Sequence, residues 1–367
     1  MMRIDKGRIS GKQFMFAIAC FIQSSGLLTS FVSGVTKQDS WLVILLGSIF
    51  SLLMLWVYRR LMIVFPDKNL LEIFEETYGK VIGKILGVLY LFFFFTLSAL
   101  NLIDLGNFTK LTATRETPMV VLILMCIVVA AIAVRGGIDL VGKYSTAFSV
   151  VAVVIVIIST LLVVYQMDFE NFLPSFRLPI IKYIQGTHIV TAIPFGELVV
   201  FLMIHPNVKQ SNKEITKNLF IGFILGAITV FMVVLRDIAV LGNIMDVFTV
   251  PSLVTLHLAN FGVSMSRIEI LFAIILIILL FFKIVILYYV SVIAMAHLFK
   301  TKAYKRLVLS AGAFIVFYSM TLYPSGIAHS TSGQETIPFL WTVYEFIIPL
   351  VTIIVAKFKK NPKKQEA

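Results

Sequence analysis

From residue 12 to residue 356 this chain is a succession of apolar runs, each of about 20 residues, joined by short polar connections. In lipid every backbone N–H and C=O must find its partner within the protein, so only helices and closed barrels can cross. The runs are continuously apolar rather than alternating, which selects helices over barrel strands. Hydrophobic residues fill 59% of the 367 positions, charged residues 14%, and mean hydropathy is +0.98. Soluble domains sit near a quarter charged. The chain therefore reads as one all-α polytopic membrane domain, residues 1–367, with no room for a sizeable soluble domain. The polar first dozen residues and the long first run, which lacks a small-residue cleavage site, argue against a cleavable signal peptide.

Ten spans fit the pattern, at roughly 12–34, 41–64, 84–108, 118–135, 143–166, 187–205, 217–241, 268–298, 305–323 and 338–356. The net charge of +12 suggests nucleic acid at first sight, but its placement excludes that reading. With a cytoplasmic N-terminus, 23 of the 31 Lys and Arg residues are assigned to the inside and 7 to the outside, Arg236 among the latter; Lys283, in the middle of span 8, completes the 31. The positive-inside rule thus predicts both termini in the cytoplasm. The basic tail, 357–367, is expected to touch anionic lipid headgroups.

Ten spans divide into five plus five, a first repeat at about 12–166 and a second at about 187–356. Five is odd, so the second half starts on the opposite face of the membrane, and two halves of one fold make an inverted repeat. Both halves open on an interrupted span. In span 6, Thr191-Ala192-Ile193-Pro194-Phe195-Gly196-Glu197-Leu198 puts a helix breaker and a carboxylate into an apolar run. Pro194 lacks an amide donor and disfavours the helical conformation at Ile193, and Gly196 permits close backbone approach. Span 1 carries the counterpart Gln23-Ser24-Ser25-Gly26, small residues that let a helix unwind and bring hydroxyls to a ligand. Irregular backbone at membrane depth is tolerated only where it lines a protein-buried cavity, so the paired breaks predict a small-molecule site.

Two charges mark that site. Glu197 costs at least about 2.5 kcal/mol at mid-bilayer, so it needs a partner or a proton. Lys283 sits near the middle of span 8 with about fifteen residues on each side, beyond the reach of snorkelling. Glu197 is its expected partner. Asp104, near the outer end of span 3, and Glu345, in the outer half of span 10, are candidates for an outer gate. Three connecting segments are expected to be helical: 69–78 as a cytoplasmic interfacial helix with Leu70, Leu71, Phe74 and Tyr78 on its apolar face, 179–186 as a short external helix, and 251–262 as an external or re-entrant helix. Trp41 and Trp341 read as aromatic-belt anchors.

Cys20 and Cys126 lie inside spans as small packing residues. His188, His205, His257, His297 and His329 fall at span ends or in loops, without metal-ligand spacing, and are expected in interfacial or solvated roles. There is no HExxH pair, GxSxG elbow or phosphate-binding GxxxxGK[ST] loop, so neither enzyme chemistry nor ATP-driven transport is expected, and nothing calls for a cofactor or metal.

The chain resembles the B subunits of nutrient germinant receptors of endospore-forming bacteria, the spore germination permeases. The carriers are Gly26-Leu27-Leu28-Thr29, Phe65-Pro66-Asp67-Lys68 with Tyr78-Gly79-Lys80 and Ile82-Gly83-Lys84, Arg115-Glu116-Thr117-Pro118, Arg135-Gly136-Gly137, and Phe195-Gly196-Glu197 leading to Phe201-Leu202-Met203. That family is similar to the amino acid–polyamine–organocation transporters. The resemblance therefore implies the LeuT-like fold, ten transmembrane helices in a five-plus-five inverted repeat with helices 1 and 6 broken. It implies a pocket between spans 1, 3, 6 and 8, with Ser24, Ser25, Gly26, Thr29, Phe195, Gly196, Glu197 and Lys283 as candidate ligand-binding residues. It also implies an A subunit and a lipidated C subunit as partners in the inner membrane of the spore. The expected function is reception of a small nutrient, such as an amino acid or similar polar solute. The alternative is a proton-coupled amino-acid secondary transporter in which Glu197 and Lys283 form the coupling pair. A structural or ion-conducting subunit of a release channel is a third reading.

Overall fold

The computed structural model describes residues 5, 7–114, 116–209, 211–258 and 268–360, with the backbone alone at 27–30, 268 and 360. Eight helical stretches among them are long and apolar enough to cross a membrane, and a ninth forms if one pair bent by 95° counts as a single span. Fifteen α-helices follow in chain order. The first break separates α1 (Gly11–Gln23) from α2 (Leu28–Thr36). Then come α3 (Ser40–Val64), α4 (Leu70–Tyr78), α5 (Lys80–Thr112), α6 (Met119–Gly136) and α7 (Ile138–Leu162). The second half holds α8 (Ile180–Val190), α9 (Asn212–Leu241), α10 (Pro251–His257), α11 (Ile268–Leu298), α12 (Tyr304–Thr321) and α13 (Gly326–Glu335), and span 10 runs from α14 (Ile337–Thr342) to α15 (Ile348–Lys360). The expected first span is not a whole helix, because α1 and α2 have only 13 and 9 residues on either side of the turn. The bent pair is α12 and α13.

Small residues set a close helix crossing between α1 and α9. Gly222 and Gly226 lie four apart on α9 and face α1; a Cβ at Gly222 would collide with the Met15 carbonyl, and one at Gly226 would come within 2.7 Å of Ile22. This is the small-xxx-small geometry by which membrane helices gain dispersion contact where no hydrophobic drive separates them from lipid.

At one end of the bundle the two strands β1 (Ile9–Ser10) and β2 (Val208–Lys209) pair in parallel, Ile9 with Val208 and Ser10 with Lys209. Asp5 knots the same end together: its carboxylate accepts from the Gly7 and Ile138 amides and, at 2.8 Å, from the Tyr289 hydroxyl. His205 is buried here rather than solvated, its ring nitrogens 3.0 Å from the Phe65 carbonyl and 3.1 Å from that of Leu202. All these groups belong to segments expected on the cytoplasmic side.

Three expectations need correction. The helix at 69–78 forms, with a capping box in which Asn69 and Glu72 satisfy each other's backbone amides. However, Leu70, Leu71, Ile73 and Phe74 are buried against the protein, chiefly α5, and Phe74 meets the Tyr90 ring at 4.9 Å. The amphipathic face that reads as lipid-seeking is spent on the bundle. The helix expected at 179–186 is no separate element; it is the beginning of α8, the first half of span 6. Arg236 is fully buried instead of lying in an outer loop: its Nε and Nη2 donate to Asp237, its Nη1 donates to Ser159 at 2.8 Å, and Ser252 on α10 donates to the other Asp237 oxygen. That network fastens the short α10 helix, which covers the described part of 251–262, to α9.

Candidate functional site

The two breaks have different local causes. In span 1 the chain winds into a 3-10 turn over Ser24–Leu27, and Ser25 (φ −87°, ψ 26°) leaves helical geometry. The Ser24 hydroxyl donates to the Phe21 carbonyl at 2.5 Å, compensating the loosened ladder. In span 6 the helix widens into a π turn at Thr191–Phe195, and Ile193 is extended at φ −114°, ψ 117°. Pro cannot donate its amide and pushes the preceding residue out of the helical region, which accounts for Ile193. Beyond it Gly196–Leu202 winds as a 3-10 helix, buried throughout.

The two breaks and span 8 meet at Lys283. Its ammonium lies 2.5 Å from a Glu197 carboxylate oxygen, donates to the Ser25 hydroxyl at 3.0 Å, and stands 4.8 Å from the Phe21 ring centre. Lys283 and Glu197 are 2% and 1% exposed. A charge so deep persists only when paired and hydrogen-bonded, and this arrangement supplies both. One carboxylate thus neutralises one ammonium, held by three elements that are distant in sequence.

Around this pair is a cavity of about 40 Å³, whose polar wall is Ser24, Ser25, Asn101, Asp104, Glu197 and Lys283. Each water needs roughly 10–15 Å³ of such space, so it holds only a few. A second, larger hollow of about 690 Å³ lies beyond, lined by the segment after α9 and by α13. Phe31, Asp104 and His329 belong to both walls and form the septum between them. His329 Nδ1 is 3.5 Å from Asp104, and its ring stands edge-on to Phe31 with centres 6.0 Å apart.

The candidate residues divide accordingly. Ser24, Ser25, Glu197 and Lys283 converge on the small cavity, and Asp104 lies on its septum. Gly196 sits one residue away and abuts Glu345, whose carboxyl would collide with any Cβ at 196. Phe195 turns from the cavity to pack on Phe223 of α9, ring centres 4.9 Å apart. Gly26 is not on the cavity wall, and a Cβ added there would first meet Leu276. The side chain of Thr29 lies outside the described residues. Glu345 is not in a vestibule: it is wholly buried at a π turn, Val343–Ile347, of span 10. The Tyr58 hydroxyl is shared between the carbonyls of Gly196, at 2.9 Å, and Glu345, at 2.6 Å.

Four polar or aromatic wall residues are not among the sequence candidates. His329, expected in an interfacial or solvated role, is 6% exposed because α13 folds back over the bundle. Trp341, expected as a belt anchor, is 3% exposed and lines the cavity. Phe31 lies on α2, just past the span 1 break. Asn101 precedes Asp104 by three residues on α5, a spacing that puts both on one helix face, and was the one legible signal.

Comparison with known proteins bears on the family and the fold. A family model described as "Spore germination protein" matches residues 8–326. "Spore germination protein KB" of Bacillus subtilis (strain 168) is 26% identical over 99% of this chain and 98% of its own. Among solved structures, Mhp1, a nucleobase-cation-symport-1 family transporter in a closed conformation with bromovinylhydantoin bound, superposes with a TM-score of 0.70 at 14% identity, over 96% of this chain and 79% of Mhp1. MhsT in complex with L-phenylalanine gives 0.62 at 14% identity, over 95% of this chain and 99% of MhsT. The fold is therefore that of the LeuT-like transporters, and the chain is a multi-pass helical membrane protein.

Proposed function

This chain belongs to the spore germination protein family, and on that premise we propose that it is the transporter-like B subunit of a nutrient germinant receptor. In this reading a small polar nutrient such as an amino acid occupies the space between the two breaks. It shifts the balance between conformers, and the change passes to an A subunit and a C lipoprotein in the inner spore membrane. Both termini face the cytoplasm, and residues 12–166 and 187–356 are inverted repeats, each led by its broken span. The observation that carries the reading is the Lys283–Glu197–Ser25 constellation, which joins both unwound segments beside a small polar cavity. Family membership supports the germination role, and transporters of like fold that hold a small molecule support a small-solute ligand.

The alternative of a proton-coupled secondary transporter shares the site and differs in output. It is favoured by the buried acid–base pair, and two experiments separate the readings. A deletion strain challenged with a panel of amino acids and sugars loses its germination response to a subset, and the wild-type gene restores it. An unchanged response across the panel overturns the receptor reading. The purified chain in proteoliposomes takes up no radiolabelled nutrient from that subset; robust, gradient-driven uptake establishes the transporter reading instead.

A further inference from the structure

We propose that Glu345 is a proton-binding site of this chain, a carboxyl that holds its proton while span 10 is seated on the break of span 6. The carboxyl is completely buried, and neither oxygen has a hydrogen-bond partner among the described residues. It lies against Gly196, in the space that any side chain there would fill. Among the described residues, the charged groups that act on it are Glu197 from span 6 and Lys283 from α11, already joined to each other at 2.5 Å. Tyr58 from α3 and Tyr90 from α5 also face this region, but their hydroxyls are engaged by backbone carbonyls: Tyr58 by those of Gly196 and Glu345, Tyr90 by that of Tyr344.

Charge balance follows from that inventory. One ammonium faces the carboxyls of Glu197 and Glu345, with Asp104 across the cavity beside His329, and Glu197, at 2.5 Å, takes it. A bare carboxylate at 345 would be a second anion in a dry site with no donor pointed at it, which proteins avoid by neutralising the group. A bound proton makes Glu345 neutral and lets the π turn of span 10 close on Gly196. When the two segments part and water enters, the O–H bond breaks, the proton passes to that water, and the carboxylate left behind is solvated. Proton occupancy and closure of span 10 on span 6 are thereby linked, whichever solute the cavity accepts.

The test reads the proton itself. Infrared spectra of the purified full chain in nanodiscs near neutral pH, in H2O and D2O, contain a protonated-carboxyl C=O stretch that shifts on deuteration. E345Q removes it, and the exposed-site control E116Q retains it. A neutral amide replaces a neutral acid, so E345Q also keeps the wild-type melting transition. A band that survives in E345Q, its absence from the wild type, or a misfolded E345Q each overturns the proposal. So does stabilisation by sodium or potassium chloride over choline chloride that E345Q abolishes, because that assigns a metal cation to the carboxylate. None of these readings requires the nutrient, so their failure leaves the receptor assignment standing.

Discussion

At the scale of single residues, the ion pair between Glu197 and Lys283 dictates a sharp mutational pattern. Removing one partner strands the other charge in a dry interior, at a cost of about 3–5 kcal/mol. We expect E197Q and K283M each to lower the melting temperature in detergent and to abolish nutrient-triggered germination. The double variant is less destabilised than the sum of the two, because both charges are gone; strict additivity means that the groups act separately. The contact between Gly196 and Glu345 makes a second prediction. G196A forces a shift worth about 1–3 kcal/mol, and E345A recovers part of it by vacating the space, both read from melting curves. Glu197 and Lys283 were legible because a charge in lipid is too costly to be incidental. His329 and Trp341 were not, since an aromatic ring near a span end has inexpensive alternatives at the interface; Asn101 was legible only through its spacing to Asp104. Glu345 was assigned to the wrong place because depth along a helix does not reveal which way the helix faces.

At the scale of elements, the same limit separates breaks from docking. Pro194 and Gly196 announce a disrupted helix through backbone chemistry alone, and the structure has its disruption there. Helix α4 was equally clear as a helix, but its apolar stripe fits a membrane surface and a protein groove alike, and only the fold chooses. The segment expected as a separate helix at 179–186 runs on through Gly186 into the rest of α8, because Gly186 faces Thr36 and Val43 inside the bundle. The α1–α9 crossing yields a prediction at this level. G222V drives a branched side chain into the Met15 carbonyl, so the two helices must separate. We expect the variant to insert into the membrane but to lose the monodisperse peak in size-exclusion chromatography and to become protease-sensitive. A G222A variant retaining wild-type behaviour in both assays refutes the close approach inferred for this pair.

At the scale of the whole molecule, ten apolar runs and two breaks were enough to identify the architecture, because lipid permits so few ways to cross. What the runs could not convey is the relation between hollows, which depends on α13 folding back. The septum of Phe31, Asp104 and His329 separates about 40 Å³ from about 690 Å³. In solubilised protein, a cysteine placed at Asn101 therefore reacts slowly with a bulky thiol reagent. H329A removes the ring that fills the septum and accelerates that reaction at least several-fold; unchanged reactivity shows that another barrier controls entry. At the far end the two-residue ladder between Ile9–Ser10 and Val208–Lys209 has a mechanical consequence. It yokes the root of one interrupted rod to the trailing end of the other, so neither can tilt without drawing on its mate. A pull on the chain's leading residues is then felt at both hinges together.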